Sequence, residues 1–267
     1  MRHSSTKEQR KAVYSQLIYI ILNIVMAIAV LVSVYFFSAP VLSLFLVVLS
    51  KWRVFAVKPR FWWVNIQSNL IDFIVGLGFV AWLIQIGNTN LFTQAVLTIV
   101  YIGWLLLIKP RSTRKFVIAQ GLISMYVGLS ALAVVSYDWD ILLVVASAMI
   151  IGFSVSRHIL GDYELNHANH LARIWAVVIG EVTWVYSHWL ITYPISFLNG
   201  FRFVQPAISM TLLTFLAWKV FDFLYQSKSS DNNQNLDFKD LKLPIIFTIG
   251  IILLMLIFFS RPLSGNI

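Results

Sequence analysis

Long apolar segments recur along the whole chain, and they constrain its fold more than any other feature. They run for about 18 to 24 residues between short polar breaks, close to the roughly 20 residues that a helix needs to cross about 30 Å of hydrocarbon. Hydrophobic residues make up 59% of the 267 and charged residues 12%, which is outside the range of soluble globular proteins. The sequence therefore predicts an all-α integral membrane protein, a polytopic helical bundle.

Nine apolar segments are predicted to span the membrane. They cover about 17–37, 40–57, 67–87, 90–109, 115–136, 140–159, 171–193, 203–226 and 243–260. The second is the weakest, because only 40–50 is free of charge before Lys51 and Arg53 interrupt it. A re-entrant or interfacial segment is the alternative there.

The predicted bundle is a single transmembrane domain over 17–260. A basic segment, 1–16, precedes it, and a short tail, 261–267, follows it. The polar stretch 227–242 lacks hydrophobic periodicity and is interpreted as a flexible linker.

Positive charge predicts the orientation of the bundle. If all nine segments span, all but three of the 20 Lys and Arg residues fall on one side. The positive-inside rule makes that side cytoplasmic, so we expect a cytoplasmic N-terminus and a C-terminus outside. Without the second segment the first basic group would lie opposite the next two, which favours the count of nine. The plasma (cytoplasmic) membrane is the expected location.

The predicted topology, with its basic cytoplasmic loops, also explains the net charge of +9. The charge therefore does not imply nucleic-acid binding. Basic loops attract anionic lipid headgroups, and the stretch WRVFAVKPRFWW at 52–63 interleaves cations with aromatic residues as interfacial anchors do. The expected partners are the bilayer and the anionic headgroups of its cytoplasmic face. A homo-oligomer is left open.

Small residues at helical spacing indicate close packing between helices, because they let backbones approach one another in lipid. Ser124 and Gly128 are four residues apart, as are Ala148 and Gly152, and Gly76 with Gly78 provides another narrow face.

Ionisable residues inside apolar segments are the main candidates for function, because charge is costly there. Glu181, in GEVTWVYSHW, lies roughly 14 Å from the inner end of its segment, near the midplane. His188 follows seven residues later on the same face. The two are interpreted as structural hydrogen-bonding groups or as part of a proton relay.

Three more residues extend this buried polar set. Lys219 and Asp222 lie three residues apart in the eighth segment, and Asp72 lies in the third. We expect Glu181 to pair with Lys219 at similar depth, so that both stay charged. Asp222 and Asp72 are the secondary partners, and His188 continues the polar path outward.

The loop RHILGDYELNHANH at 157–170 holds three of the five histidines. If its second half is helical, Glu164, His167 and His170 share a face, and with His158 they form a weak candidate for a zinc or iron site. The alternative is a solvated loop whose charges cap helix ends. The chain has no cysteine and no GxSxG, phosphate-loop, dinucleotide or HExxH motif. No cofactor is expected.

Three functions remain open. Ionisable residues at depth favour a transporter of a small solute or ion, with proton coupling as one form of it. A membrane-embedded enzyme acting on lipid or a lipid-linked substrate would use the histidine loop, but it is not the favoured class. A non-catalytic assembly or scaffold protein needs no site at all.

Overall fold

The computed structural model describes residues 2–37, 40–87, 90–161, 163, 165, 167–189, 194–198, 201–229 and 239–259. Within these ranges the chain is almost entirely helical. Its elements are α1 (Arg2–Phe37), α2 (Pro40–Ser50), α3 (Trp52–Phe55), α4 (Trp62–Ile86), α5 (Leu91–Gly103), α6 (Arg114–Val135), α7 (Ile141–Gly161), α8 (Ala168–Trp189), β1 (Pro194–Leu198), β2 (Phe201–Val204), α9 (Gln205–Ser229) and α10 (Lys239–Phe259).

Six stretches in the described residues are long and apolar enough to cross a bilayer: Val13–Phe37, Pro59–Ile86, Leu91–Ile108, Arg114–Val135, Ile141–Gly161 and Pro206–Gln226. They are compatible with a multi-pass membrane protein, as the sequence predicts. The apolar parts of α2 and α10 are shorter, and α8 is not among the six. The count of nine spans and the direction of the termini stay predictions.

The second predicted segment, 40–57, is broken. Helix α2 has 11 residues, about 16 Å at 1.5 Å per residue, which is roughly half of the hydrocarbon core. The helix ends where the Ser50 hydroxyl donates to the Val47 carbonyl at 2.6 Å and the Lys51 amide turns back to the Val48 carbonyl at 2.9 Å. The four-residue α3 follows after Lys51. The interruption that the charges predicted is therefore a real discontinuity in the helix.

Contacts between the end of α4 and the start of α5 hold these two helices together. Gly87 ends α4 with φ +62°, a left-handed conformation that favours glycine. The Asn90 side chain accepts a hydrogen bond from the Thr93 amide at 3.1 Å and so caps α5. The buried Gln94 amide then donates to the carbonyls of Leu83 and Gly87, at 3.2 and 2.9 Å.

The other end of α5 winds more loosely. Residues Trp104–Ile108 form a π-helical turn, in which the Lys109 amide bonds the Trp104 carbonyl at 2.9 Å. Such turns are uncommon and often lie at functional sites. The Gln120 side chain of α6 donates to the carbonyls of Ile108 and Arg111, at 2.8 and 2.9 Å. This amide stabilises the last turn, which carries Lys109.

Helix α4 lies at the centre of the bundle, and its glycines confirm the predicted close packing. A Cβ at Gly78 would lie 2.4 Å from the Val127 side chain of α6, and one at Gly76 would lie 2.7 Å from Val47 of α2. Side chains of the neighbouring helices fill the space that each glycine leaves. Gly128 of α6 and Gly152 of α7 are packed in the same way, Gly128 against Ile74 and Gly152 against Ile179.

The connection between α8 and α9 contains a feature that the sequence pattern did not predict. Strands β1 and β2 pair antiparallel, with Pro194 opposite Val204 and Ser196 opposite Arg202, and with an irregularity between Ser196 and Leu198. Because two strands alone are only marginally stable in water, this hairpin depends on the bundle beneath it.

Candidate functional site

Two lysines and one aspartate form the most strongly charged buried cluster in the described part of the chain. The Nζ atoms of Lys51 and Lys109 lie 2.8 and 2.9 Å from the same oxygen, Oδ2 of Asp72. The side chains are 9%, 23% and 16% exposed for Lys51, Lys109 and Asp72. We call this cluster the charged triad.

Irregular backbone supplies both lysines of the charged triad. Lys51 is the residue at which α2 stops and α3 begins. Lys109 follows the π-helical turn of α5. Only Asp72 stands on a continuous helix, about 15 Å from the start of α4 at 1.5 Å per residue. The triad therefore ties a helix break and an irregular helix end to the central helix.

A layer of close packing lies one turn further along α4. The Tyr101 hydroxyl of α5 lies 3.3 Å from where a Cβ on Gly76 would be. The Tyr101 ring stacks on Phe79 of α4, with centroids 4.1 Å apart and planes 13° apart. Both aromatic side chains are buried, at 5% and 3% exposure. The charged triad is thus closed on the side towards the α4–α5 turn.

On the other side the triad comes closer to the surface. We call this side the basic end of the bundle, because α4 begins there, α5 ends there, and the exposed residues Lys58, Arg60 and Arg111 lie there. Lys109 is the most exposed member of the triad and follows directly on α5. The triad is therefore nearest to the surface at the basic end.

The triad carries an unbalanced charge. Two ammonium groups face one carboxylate, so the cluster has a net charge of +1 when all three groups are ionised. Two lysines provide six N–H donors, and the contacts to Asp72 account for one on each. An uncompensated buried charge is costly. Among the described residues, no second carboxylate pairs with these two lysines.

A second polar cluster at the basic end joins α6, the α7–α8 loop and α9. Asp222 accepts hydrogen bonds from Arg114 and from the Tyr163 hydroxyl, the latter at 2.9 Å. The Arg114 guanidinium also lies over the Tyr163 ring, 4.3 Å from its centroid. Burial raises the pKa of Tyr163, which keeps the hydroxyl protonated as a donor to Asp222. Here the charges balance, and the contacts connect α6 to α9 through Tyr163.

The structure does not form the predicted pair of Glu181 with Lys219. Among the described residues no ion pair joins them, and Glu181 is exposed on the bundle surface rather than buried. The Lys219 ammonium lies 4.7 Å from the centroid of the Trp218 ring. His188 is also exposed, and its Nδ1 lies 2.9 Å from the Trp184 carbonyl. Asp72 and Asp222 pair with other residues, Asp72 within the charged triad and Asp222 with Arg114.

The helical pattern of α8 explains why Glu181 faces outward. Besides Gly180, the buried residues of this helix are Ala172, Ala176, Ile179 and Thr183, the last four at 0%, 5%, 0% and 6% exposure. Their spacing of three and four residues defines one face. Glu181 is two residues from both Ile179 and Thr183, so it lies about 200° away on the opposite face.

The candidate metal residues do not converge in the described part of the chain. No group of three His, Asp or Glu side chains comes together there. Nε2 of His158 lies 3.0 Å from Oε1 of Gln120. The rings of His167 and His170 are 6.2 Å apart, and both residues are exposed. Glu164 lies outside the described residues.

Sequence reasoning singled out Asp72 but missed both of its partners. In the sequence Lys109 is one of the basic residues that predict orientation, and Lys51 is distinguished only because it interrupts the second segment. One signal was available for Lys51, since it interrupts an otherwise apolar segment. For Lys109, directly before Pro110 at a segment end, the sequence held no comparable signal.

Comparison with protein-family models, with curated proteins and with solved structures finds no match for this chain. Its function is therefore inferred from the geometry of its own side chains.

Proposed function

We propose that this chain is a transporter of a small anionic solute and that the charged triad is its binding site. The observation that carries the proposal is the sharing of one buried carboxylate oxygen by Lys51 and Lys109 at a break in the second segment. The bound anion would complete the charge balance of the triad.

The backbone at the triad supports this proposal. Secondary transporters commonly bind their substrates where a membrane helix is discontinuous, because unwound backbone can line a cavity and can move. Here α2 stops at Lys51 and α5 changes to π-helical winding before Lys109. Both cations therefore sit on segments that can shift without unfolding a regular helix.

The surroundings of the triad also support transport. Lys109 is its most exposed member and lies towards the basic end, whereas the buried, stacked rings of Phe79 and Tyr101 lie on the side towards the end of α4. A carrier with alternating access has this form in one of its two states. In the other state the aromatic stack would separate and the basic end would close.

Flux in proteoliposomes tests the function. Purified protein should transport at least one of chloride, inorganic phosphate, acetate and succinate, tested separately. Lys109→Gln should lower that flux by about tenfold or more, because a hydrogen bond to a charged group contributes about 1.5–3 kcal/mol. Lys58→Gln is the matched control, since Lys58 is exposed at the same end.

Equal flux in the Lys109 variant and the wild type would exclude the triad as the binding site. Absence of flux for all four anions, together with stable co-purification of a protein partner, would instead favour an assembly role.

Orientation is a separate part of the proposal, with the basic end in the cytoplasm and nine spans in total. Lys115 lies in the first turn of α6 and Asp138 lies in the loop after its other end, and both are exposed. The chain has no cysteine, so Lys115→Cys and Asp138→Cys each introduce a single thiol. An impermeant maleimide added to intact cells should label only the Asp138 variant. If only the Lys115 variant were labelled, the orientation would be the opposite of the proposed one.

A further inference from the structure

Tyr101 of α5 carries a buried hydroxyl that has no hydrogen-bond partner. The residue is 5% exposed, and among the described residues its hydroxyl neither donates nor accepts a hydrogen bond. A buried tyrosine usually finds a partner for its O–H group, because an unmade bond is costly. The Tyr101 oxygen is also not fully enclosed by protein atoms, in contrast to Oε1 of Gln94 on the same helix. The hydroxyl is therefore open to a partner that the described residues do not supply.

The side chain of Tyr101 points towards the charged triad. Its ring stacks on Phe79, but its hydroxyl oxygen lies 3.3 Å from where a Cβ on Gly76 would be. The side chain therefore runs along α4 from Phe79 towards the basic end. Asp72 lies one turn further in that direction, four residues before Gly76 and on the same face of α4. The levels of Gly76 and Asp72 are about 6 Å apart along the helix axis, at 1.5 Å per residue.

The triad and Tyr101 together provide hydrogen-bond donors at two levels of α4. At the level of Asp72, the ammonium groups of Lys51 and Lys109 converge on one carboxylate oxygen. At the level of Gly76, one turn away, lies the phenol O–H group. Two ammonium groups and one carboxylate leave a net charge of +1. A group that bonds both sets of donors and balances this charge is an anion with a single negative charge.

The separation of the donors narrows the class of anion. Hydrogen bonds from N–H and O–H groups to oxygen are about 2.7–3.0 Å long. A chloride ion is a single acceptor, so it bonds the donors of both levels only if it lies midway between them. A carboxylate has two acceptor oxygens, one for the lysines and one for Tyr101. It also carries the single charge that the triad requires.

We propose that Tyr101 is a specificity-determining residue of the charged triad, whose anion is a monocarboxylate that accepts a hydrogen bond from the Tyr101 hydroxyl. This inference rests on the proposed anion transport and names the class of substrate. The Tyr101 ring stacks on Phe79, whereas the hydroxyl selects the anion. Phenylalanine at this position separates the two roles, because it keeps the ring and removes the oxygen.

Flux in proteoliposomes tests the hydroxyl, with acetate and chloride as probes. The wild type should transport acetate in preference to chloride. Tyr101→Phe should raise the KM for acetate by about tenfold or more, the loss expected for one hydrogen bond to a charged group. The kcat for acetate should change much less than its KM, because the hydroxyl acts in binding. The KM for chloride should stay unchanged, so the preference for acetate should fall.

Tyr186→Phe is the matched control, since its hydroxyl already bonds Oγ of Ser209 at 2.7 Å, between α8 and α9. It should keep the wild-type preference for acetate, and circular dichroism would show that both variants are folded. An unchanged preference in Tyr101→Phe would overturn the role of the hydroxyl, even where Lys109→Gln abolishes flux and so upholds the triad.

The substrate class and the transport function fail in different ways. Wild-type flux of chloride, phosphate or succinate without flux of acetate would overturn the monocarboxylate and leave anion transport in place. Absence of flux for all four anions would overturn the transport function, and the role of Tyr101 with it.

Discussion

Asp72→Asn should lower the free energy of unfolding by about 3 kcal/mol, one of the largest effects of any single substitution at the polar residues of this chain. The change leaves the ammonium groups of Lys51 and Lys109 together without the carboxylate that both contact. Removing one partner of a buried ion pair typically costs about 3–5 kcal/mol, because the remaining charge is not compensated. Unfolding by denaturant in mixed micelles, followed by circular dichroism, measures the loss.

A double-mutant cycle separates charge from packing in this prediction. Lys51→Met with Asp72→Asn should be more stable than Asp72→Asn alone, because it removes the more deeply buried of the two stranded cations. Asp138→Asn is the control, an aspartate exposed in a loop, and should change stability little. Losses that simply add would mean that the charges of Lys51 and Asp72 do not interact in the folded protein.

The helical elements could be predicted from the sequence because apolar length alone indicates them. Interruption of the second segment was also detectable, since Lys51 follows the eleven charge-free residues 40–50. What the sequence could not give was the geometry of that break. It depends on the Ser50 hydroxyl and on the carboxylate that Lys51 reaches in α4.

Pairing of charges was the least predictable part of the site. The predicted pair of Glu181 and Lys219 rested on their similar depth, and depth does not say which face of a helix meets which neighbour. In α8 the small and aliphatic stripe from Ala172 to Thr183 turns inward and puts Glu181 outside. That stripe is visible in the sequence, so facial periodicity was a better guide here than depth.

The charged triad, in contrast, could not be predicted from any local pattern in the sequence. Lys51, Asp72 and Lys109 lie on three different segments, and they meet only because Gly76 lets α2 and α5 approach α4. A glycine four residues from a buried carboxylate indicates close approach, but it does not identify the helix that approaches. That information lies in the tertiary packing.

Phe79→Ala should have the second large effect, on stability and on transport together. Phe79 is 3% exposed and stacks on Tyr101 above the triad. Truncation of a buried phenylalanine costs about 3–5 kcal/mol in soluble proteins. In a bilayer the transfer part of that cost is smaller, since lipid is as apolar as the side chain, and we expect about 2–4 kcal/mol from lost contacts.

The transport effect of Phe79→Ala tests the aromatic stack as a gate. If the stack closes the path from the triad to the far side, its loss should raise passive leak of the transported anion in proteoliposomes. Phe92→Ala is the control, because Phe92 of α5 is 72% exposed and contributes little to the core. Lower stability with unchanged leak would make the stack ordinary packing. A higher leak in Phe79→Ala that disappears in the double variant with Lys109→Gln would instead mean that the aromatic stack and the triad lie on one path. The anion would then need both the Lys109 ammonium and the gap that the missing Phe79 ring leaves.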